Sequence, residues 1–83
     1  MKIHVRYFAS LREALGPQET ADVPAGCTVT ALRLHLGALS DRHQEALAPG
    51  RALRCALDQR MCAEDAVLSE GVEVAFFPPV TGG

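Results

Sequence analysis

The chain has 83 residues, a formal net charge of −2 and a hydrophobic fraction of 48%. That length allows one domain burying a little over ~60% of its unfolded surface, and that hydrophobic fraction lies outside the disordered range. The weak acidity excludes the basic footprint of a nucleic-acid binder. No run approaches the ~20 apolar residues of a membrane span, and the alternation after Lys2 is unlike a secretion signal, so a cytoplasmic protein is expected.

Residues 2–8 alternate. Ile3, Val5 and Tyr7 point one way, and Lys2, His4, Arg6 and Phe8 point the other, as in a half-buried strand. Ser10 is placed to cap a short helix through Leu15, which Gly16-Pro17 ends. Thr20 to Val23 reads as a second strand paired with the first, and Pro24-Ala25-Gly26 as a turn. Thr28 is a plausible cap for the main helix, where Val29, Leu32, Leu36 and Leu39 make one apolar stripe. Ser40 and Asp41 can cap a further helical turn through Ala46 and Leu47, broken at Pro49-Gly50.

Leu53, Cys55 and Leu57 alternate with Arg54, Ala56 and Asp58, giving a third strand, and Val67-Leu68 suggests a short edge piece. Val72, Val74 and Phe76 alternate with Glu73, Ala75 and Phe77, giving the last strand. A hairpin, a helix and further strands make an α+β pattern: a mixed sheet with one main helix on one face. The first and last strands can lie parallel with the helix in their crossover, as in the β-grasp or ubiquitin-like fold. The expected organisation is a domain over residues 1–77 and an extended tail over 78–83.

Two rings fall on the wrong side of this alternation. With Tyr7 and Phe76 facing the core, Phe8 and Phe77 face away from it, at the ends of otherwise polar strand faces. If the two strands are neighbours, Phe8 and Phe77 form one exposed aromatic patch, which is a partner-site signature. A bulge, or a loop covering either ring, is the competing reading.

The tail is Pro78-Pro79-Val80-Thr81-Gly82-Gly83. The prolines cannot donate to a sheet ladder, and polyproline II geometry would carry the tail roughly 15 to 20 Å from the domain. Gly82 and Gly83 permit close backbone approach, so the tail suits a narrow channel in another protein's active site. A terminal glycine pair arises by chance in roughly 0.5% of chains, and a frayed terminus is the plain alternative. The expectation is that the Gly83 carboxylate is itself the functional group: adenylated, then attacked by a sulfur nucleophile to give a thiocarboxylate.

Little else in the chain looks catalytic. Cys27, Cys55 and Cys62 are an odd number without zinc spacing, and are expected to be structural. His4, His35 and His43 lack metal-ligand spacing and are expected to be solvated. Asp41-Arg42 and Glu64-Asp65 read as loop charges, and Gly16 and Gly26 as isolated turn glycines rather than a phosphate loop. The chain is therefore expected to bind no cofactor or metal and to leave ATP to an activating enzyme.

These residues resemble a known family over essentially the whole length: the MoaD-like sulfur carriers, small subunits of molybdopterin synthase. The resemblance rests on Val5-Arg6-Tyr7-Phe8-Ala9 with Leu11-Arg12-Glu13 and Gly16, on Thr28 to Arg33, and above all on Glu73 to Gly83. Asp58 departs from the asparagine common in relatives. The resemblance implies adenylation of Gly83 by a ubiquitin-activating-type enzyme, sulfur loading from a sulfur donor, and insertion into a MoaE-like large subunit. Sulfur would there pass to cyclic pyranopterin monophosphate, in a heterotetramer whose large subunit holds the catalytic groups. It makes Gly83 the sulfur-bearing residue, Gly82 its required neighbour, Phe8 and Phe77 interface residues, and Pro78, Pro79, Val80 and Thr81 the inserted segment. A carrier for thiamine or thio-tRNA synthesis, a ubiquitin-like protein modifier and a plain interaction module are the alternatives.

Overall fold

The computed structural model of the chain describes residues 1–79. Among these the elements are β1 (Lys2–Tyr7), α1 (Ser10–Leu15), β2 (Gln18–Asp22), α2 (Val29–Gly37), α3 (Asp41–Leu47), β3 (Arg54–Leu57), β4 (Arg60–Cys62) and β5 (Glu73–Phe77). They build one mixed sheet in the order β2-β1-β5-β3-β4. The β1/β5 pair is parallel and the other pairs are antiparallel. The first and last strands thus meet at the centre, with the helices in the connection that parallel pairing demands.

Alternation on β1 sets which face is inside. Ile3, Val5 and Tyr7 are buried, and Val74 and Phe76 of β5 join them, with Tyr7 stacked on Phe76 at 6.5 Å between ring centroids. Val29, Leu32 and Leu36 of α2 close over this face, which completes the core. Thr28 caps α2 as expected, its hydroxyl accepting from Ala31 N, and Ser40 does the same for α3 from His43 N.

Several boundaries differ from the sequence expectation. Ser10 is the first residue of α1 rather than its cap. Ala9 precedes the helix at φ 54°, ψ −130°, without a side-chain cap. The turn closes through Leu11 N donating to Phe8 O at 3.2 Å, so backbone pairing replaces the hydroxyl. The main helix stops at Gly37, and Leu39, expected on the buried stripe, is half exposed. Ala38 N and Leu39 N bond back three residues, to His35 O and Leu36 O, which tightens and ends the last turn.

Strand β2 starts at Gln18 because its pairing with β1 runs from Arg6↔Gln18 to Lys2↔Asp22. Val67 makes only an isolated bridge to Thr28. The edge strand is β4 instead, reached through Asp58 and Gln59, both at positive φ (45° and 69°). Two positive φ values in a two-residue loop suit the right-handed twist of a hairpin. Asp58 Oδ1 also accepts from Glu73 N at 3.0 Å, fastening this turn to the start of β5.

Arg33 is the buried charge of the core's rim. Its Nε donates to Leu47 O at 2.8 Å, and its terminal nitrogens donate to Ala48 O, Arg51 O and the Glu64 carboxylate. One guanidinium thereby holds the carbonyls of the last residue of α3 and of the loop after it, the reason a buried arginine is tolerated here.

Candidate functional site

Residues 8 and 77 follow the core pair Tyr7 and Phe76 by one position each. The parallel register Tyr7↔Phe76 therefore sends both next side chains to the opposite face. Their rings meet there edge to face, 6.4 Å between centroids at 86°. Phe8 is 38% exposed and Phe77 is half-buried. The ladder reaches Phe8 itself, whose N–H donates to Phe76 O at 3.2 Å, so the first ring stands on sheet backbone rather than on a loop.

The Arg6 guanidinium lies 5.2 Å from the centre of the Phe8 ring and 3.9 Å from the Glu73 carboxylate. Cation–ring attraction holds that charge beside the patch. Arg54 is the cross-strand partner of Phe77 and sets a second positive charge at its other border. One row further along the sheet, Arg6, Ala75, Ala56 and Met61 are successive cross-strand neighbours. The alanines leave a low floor between the aromatic pair and Met61, which is 58% exposed. The outer face thus presents Phe8, Phe77 and Met61 around the buried Ala75 and Ala56, bordered by two arginines. A partner offering apolar contacts and carboxylates would match it.

Pro78 and Pro79 leave β5 from the same end of the sheet and are half-buried. Pro79 lines a groove with Leu53, Arg54, Cys55, Met61 and Cys62. The structure therefore brings Phe8, Phe77, Pro78 and Pro79 into one region. Val80, Thr81, Gly82 and Gly83 lie outside the described residues.

Sequence reasoning missed three features. Met61 enters the outer face only because β4 is an edge strand. The one available signal was the short polar pair Asp58-Gln59 between two alternating stretches. His43 is not solvated: Nε2 lies 2.8 Å from Glu19 Oε2 and Nδ1 lies 2.7 Å from Ser40 Oγ, while the buried Tyr7 hydroxyl donates to the same Glu19 oxygen at 2.6 Å. Ser40 is already the α3 cap, so this cluster fastens α3 to β2 and β1 rather than presenting a nucleophile. Burial, and then the hydrogen bond to Glu19 and its charge, push the Tyr7 hydroxyl well above its ordinary range.

The third missed feature is the cysteine pair. Cys55 and Cys62 are direct cross-strand partners, with sulfurs 3.5 Å apart. Among the described residues no group of three or more His, Cys, Asp or Glu side chains is arranged to hold a metal, and no helix is long and apolar enough to cross a membrane.

Residues 5–83 match the ThiS family. The chain is 49% identical over 84 residues to the molybdopterin synthase sulfur carrier subunit of Escherichia coli (strain K12), covering 98% of this chain and 99% of that protein. Among solved structures it is similar to the small archaeal modifier protein 1 of Haloferax volcanii, at 26% identity and a TM-score of 0.73 over 95% of this chain and 98% of that one. Subunits 1 and 2 of the molybdopterin-converting factor of Helicobacter pylori were solved as a complex. A chain of that complex has the same fold, at 23% identity and a TM-score of 0.70, with 100% of both chains covered.

Proposed function

The chain belongs to the ThiS family, and we propose that within it this protein is the sulfur-carrier small subunit of a molybdopterin synthase. The full-length identity of 49% to a relative of that name carries the reading. The aromatic patch at the root of the tail supports it, because a carrier must be gripped while its tail is handled.

In this reading the Gly83 carboxylate attacks the α-phosphorus of ATP on an adenylating enzyme, expelling pyrophosphate and forming an acyl-adenylate. A sulfur nucleophile then adds to that carbonyl and AMP leaves, which gives a terminal thiocarboxylate. Gly82, with no Cβ, lets the tail approach closely in a confined site, and Pro78, Pro79, Val80 and Thr81 span the distance from the domain. The large synthase subunit binds the Phe8–Phe77 surface, takes in the tail and directs sulfur to cyclic pyranopterin monophosphate. This chain supplies the docking surface and the thiocarboxylate. It binds no cofactor of its own, and the cytoplasm supplies ATP and the sulfur donor.

The likeness to an archaeal modifier supports a second reading, attachment of Gly83 to lysines of other proteins; covalent lysine adducts in cells would report it. The carrier reading is tested by intact-mass spectrometry after incubation with ATP, a matched adenylating enzyme and sulfide. The expected result is the exchange of one oxygen for one sulfur, absent from a Gly83-deleted control. No exchange, although the same enzyme preparation loads a known carrier, would overturn it.

A further inference from the structure

Cys55 and Cys62 face each other across the β3/β4 pair, in the register Cys55↔Cys62. The Cys62 thiol donates to Cys55 Sγ at 3.5 Å, and the Cys55 thiol reaches Cys62 O at 3.4 Å. The two differ in access: Cys55 is 3% exposed, whereas Cys62 is half-buried on a three-residue edge strand. Cys27 is separate from the pair, in the turn before α2, where its thiol donates to Thr28 O.

We propose that Cys55 and Cys62 form a redox-modification site that reacts with low-molecular-weight disulfides and closes to a reversible cross-strand disulfide. The accessible Cys62 thiolate attacks one sulfur of the small disulfide, forming a mixed disulfide and releasing one thiolate. Cys55, losing its proton to solvent, attacks Cys62 Sγ and expels the second thiolate. The two protein thiols together lose two electrons and two protons. One small disulfide is thereby reduced to two thiols.

Geometry favours closure over a lasting mixed disulfide. Directly opposed residues of an antiparallel pair keep their Cβ atoms about 4.5–5.5 Å apart, against about 3.5–4.5 Å in a disulfide. The required movement is on the order of 1 Å, and β4 is a short edge strand bonded on one side only. In the reduced protein burial pushes the Cys55 thiol up to about 12. Mildly alkaline pH raises the thiolate fraction available for the resolving step. Cys55 and Cys62 are both among the residues lining the groove that also takes Pro79.

The test is intact-mass spectrometry of the full chain, carrying Cys27→Ser, after incubation with glutathione disulfide at mildly alkaline pH. The expected product has lost two hydrogen masses, carries no glutathione, maps to a 55–62 crosslinked peptide and returns to its starting mass with excess reduced glutathione. Cys62→Ser in the same background should show no loss of two hydrogens. Cys55→Ser should accumulate the glutathione adduct on Cys62. If Cys55→Ser fails to fold, Cys62→Ser still decides which thiol is attacked first: it should take up no glutathione, because Cys55 is 3% exposed, and a glutathione adduct on Cys55 would overturn the proposal. A stable glutathione adduct with both cysteines present, or no change in mass, would overturn the proposal. No adenylating enzyme enters this assay, so its outcome is independent of the carrier reading.

Discussion

Replacing Arg33 with methionine should destabilise the domain by about 3–4 kcal/mol while leaving its shape intact. Methionine keeps the apolar stem and removes every donor. Arg33 is 4% exposed and donates to the carbonyls of Leu47, Ala48 and Arg51. Hydrogen bonds involving a charged group contribute about 1.5–3 kcal/mol each, and an unsatisfied buried acceptor costs about 1–3 kcal/mol. Leu47 is fully buried, so its carbonyl bears the whole cost. The Ala48 and Arg51 carbonyls lie in a more open loop where water can replace part of what is lost.

The Glu64 contact adds little, because that carboxylate is 43% exposed even though the ion pair is 2.9 Å long. A domain of this size has roughly 4–12 kcal/mol of stability in total, and each kcal/mol moves its melting point by about 4–8 °C. Arg33→Met should therefore melt some 15–25 °C lower. Urea unfolding followed by circular dichroism measures the change directly, as a fall in midpoint at constant slope. Glu64→Gln is the control and should cost under about 1 kcal/mol. A loss below about 1 kcal/mol in Arg33→Met, or equal losses in the two variants, would refute the assignment of the carbonyl contacts as the main stabilising ones.

Phe8→Ala and Phe77→Ala should each weaken binding to a large synthase subunit by about 1–3 kcal/mol, measured by titration calorimetry. Their double-mutant cycle should show a coupling of about 0.5–1.5 kcal/mol from the edge-to-face pair, and a collapsed melting transition in Phe8→Ala would instead place that ring in the core. Under reducing conditions stability should fall as pH rises above about 9. Cys55 is raised from 9.0 to about 12 and Tyr7 is raised from 10.0, so over that window the unfolded chain holds fewer protons than the folded one. The fall is at most about 1.4 kcal/mol per pH unit per group, and Cys55→Ala should flatten it between pH 9 and 10; an unchanged slope there would remove Cys55 as a cause.

Much of this protein is local and therefore legible in its sequence. Period-two alternation marks β1 and β5 because a strand turns successive side chains to opposite faces. The same rule places Phe8 and Phe77 outside before any coordinates exist. Thr28 and Ser40 announce the starts of α2 and α3, since a side-chain oxygen satisfies helix N–H groups within three residues. The terminal Gly82-Gly83 pair and its prolines are likewise plain in the sequence.

What the tertiary structure decided concerns distances across the chain. Whether Phe8 and Phe77 touch depends on parallel pairing of strands some 70 residues apart, which no local pattern fixes. Ser10 does not cap α1, because the chain leaving β1 closes its turn through the Phe8 carbonyl instead. The edge strand lies at Arg60–Cys62 rather than at Val67-Leu68, because Asp58 and Gln59 accept positive φ where glycine or asparagine is the usual signal. That hairpin alone sets Cys62 against Cys55 and Met61 beside the alanine floor. His43, unremarkable by spacing, finds Glu19, which also accepts from Tyr7, only when the fold brings α3 within reach of β2. Propensity and capping act within a few residues and can be read directly; partners brought together by sheet register and helix packing are determined only when the whole core forms.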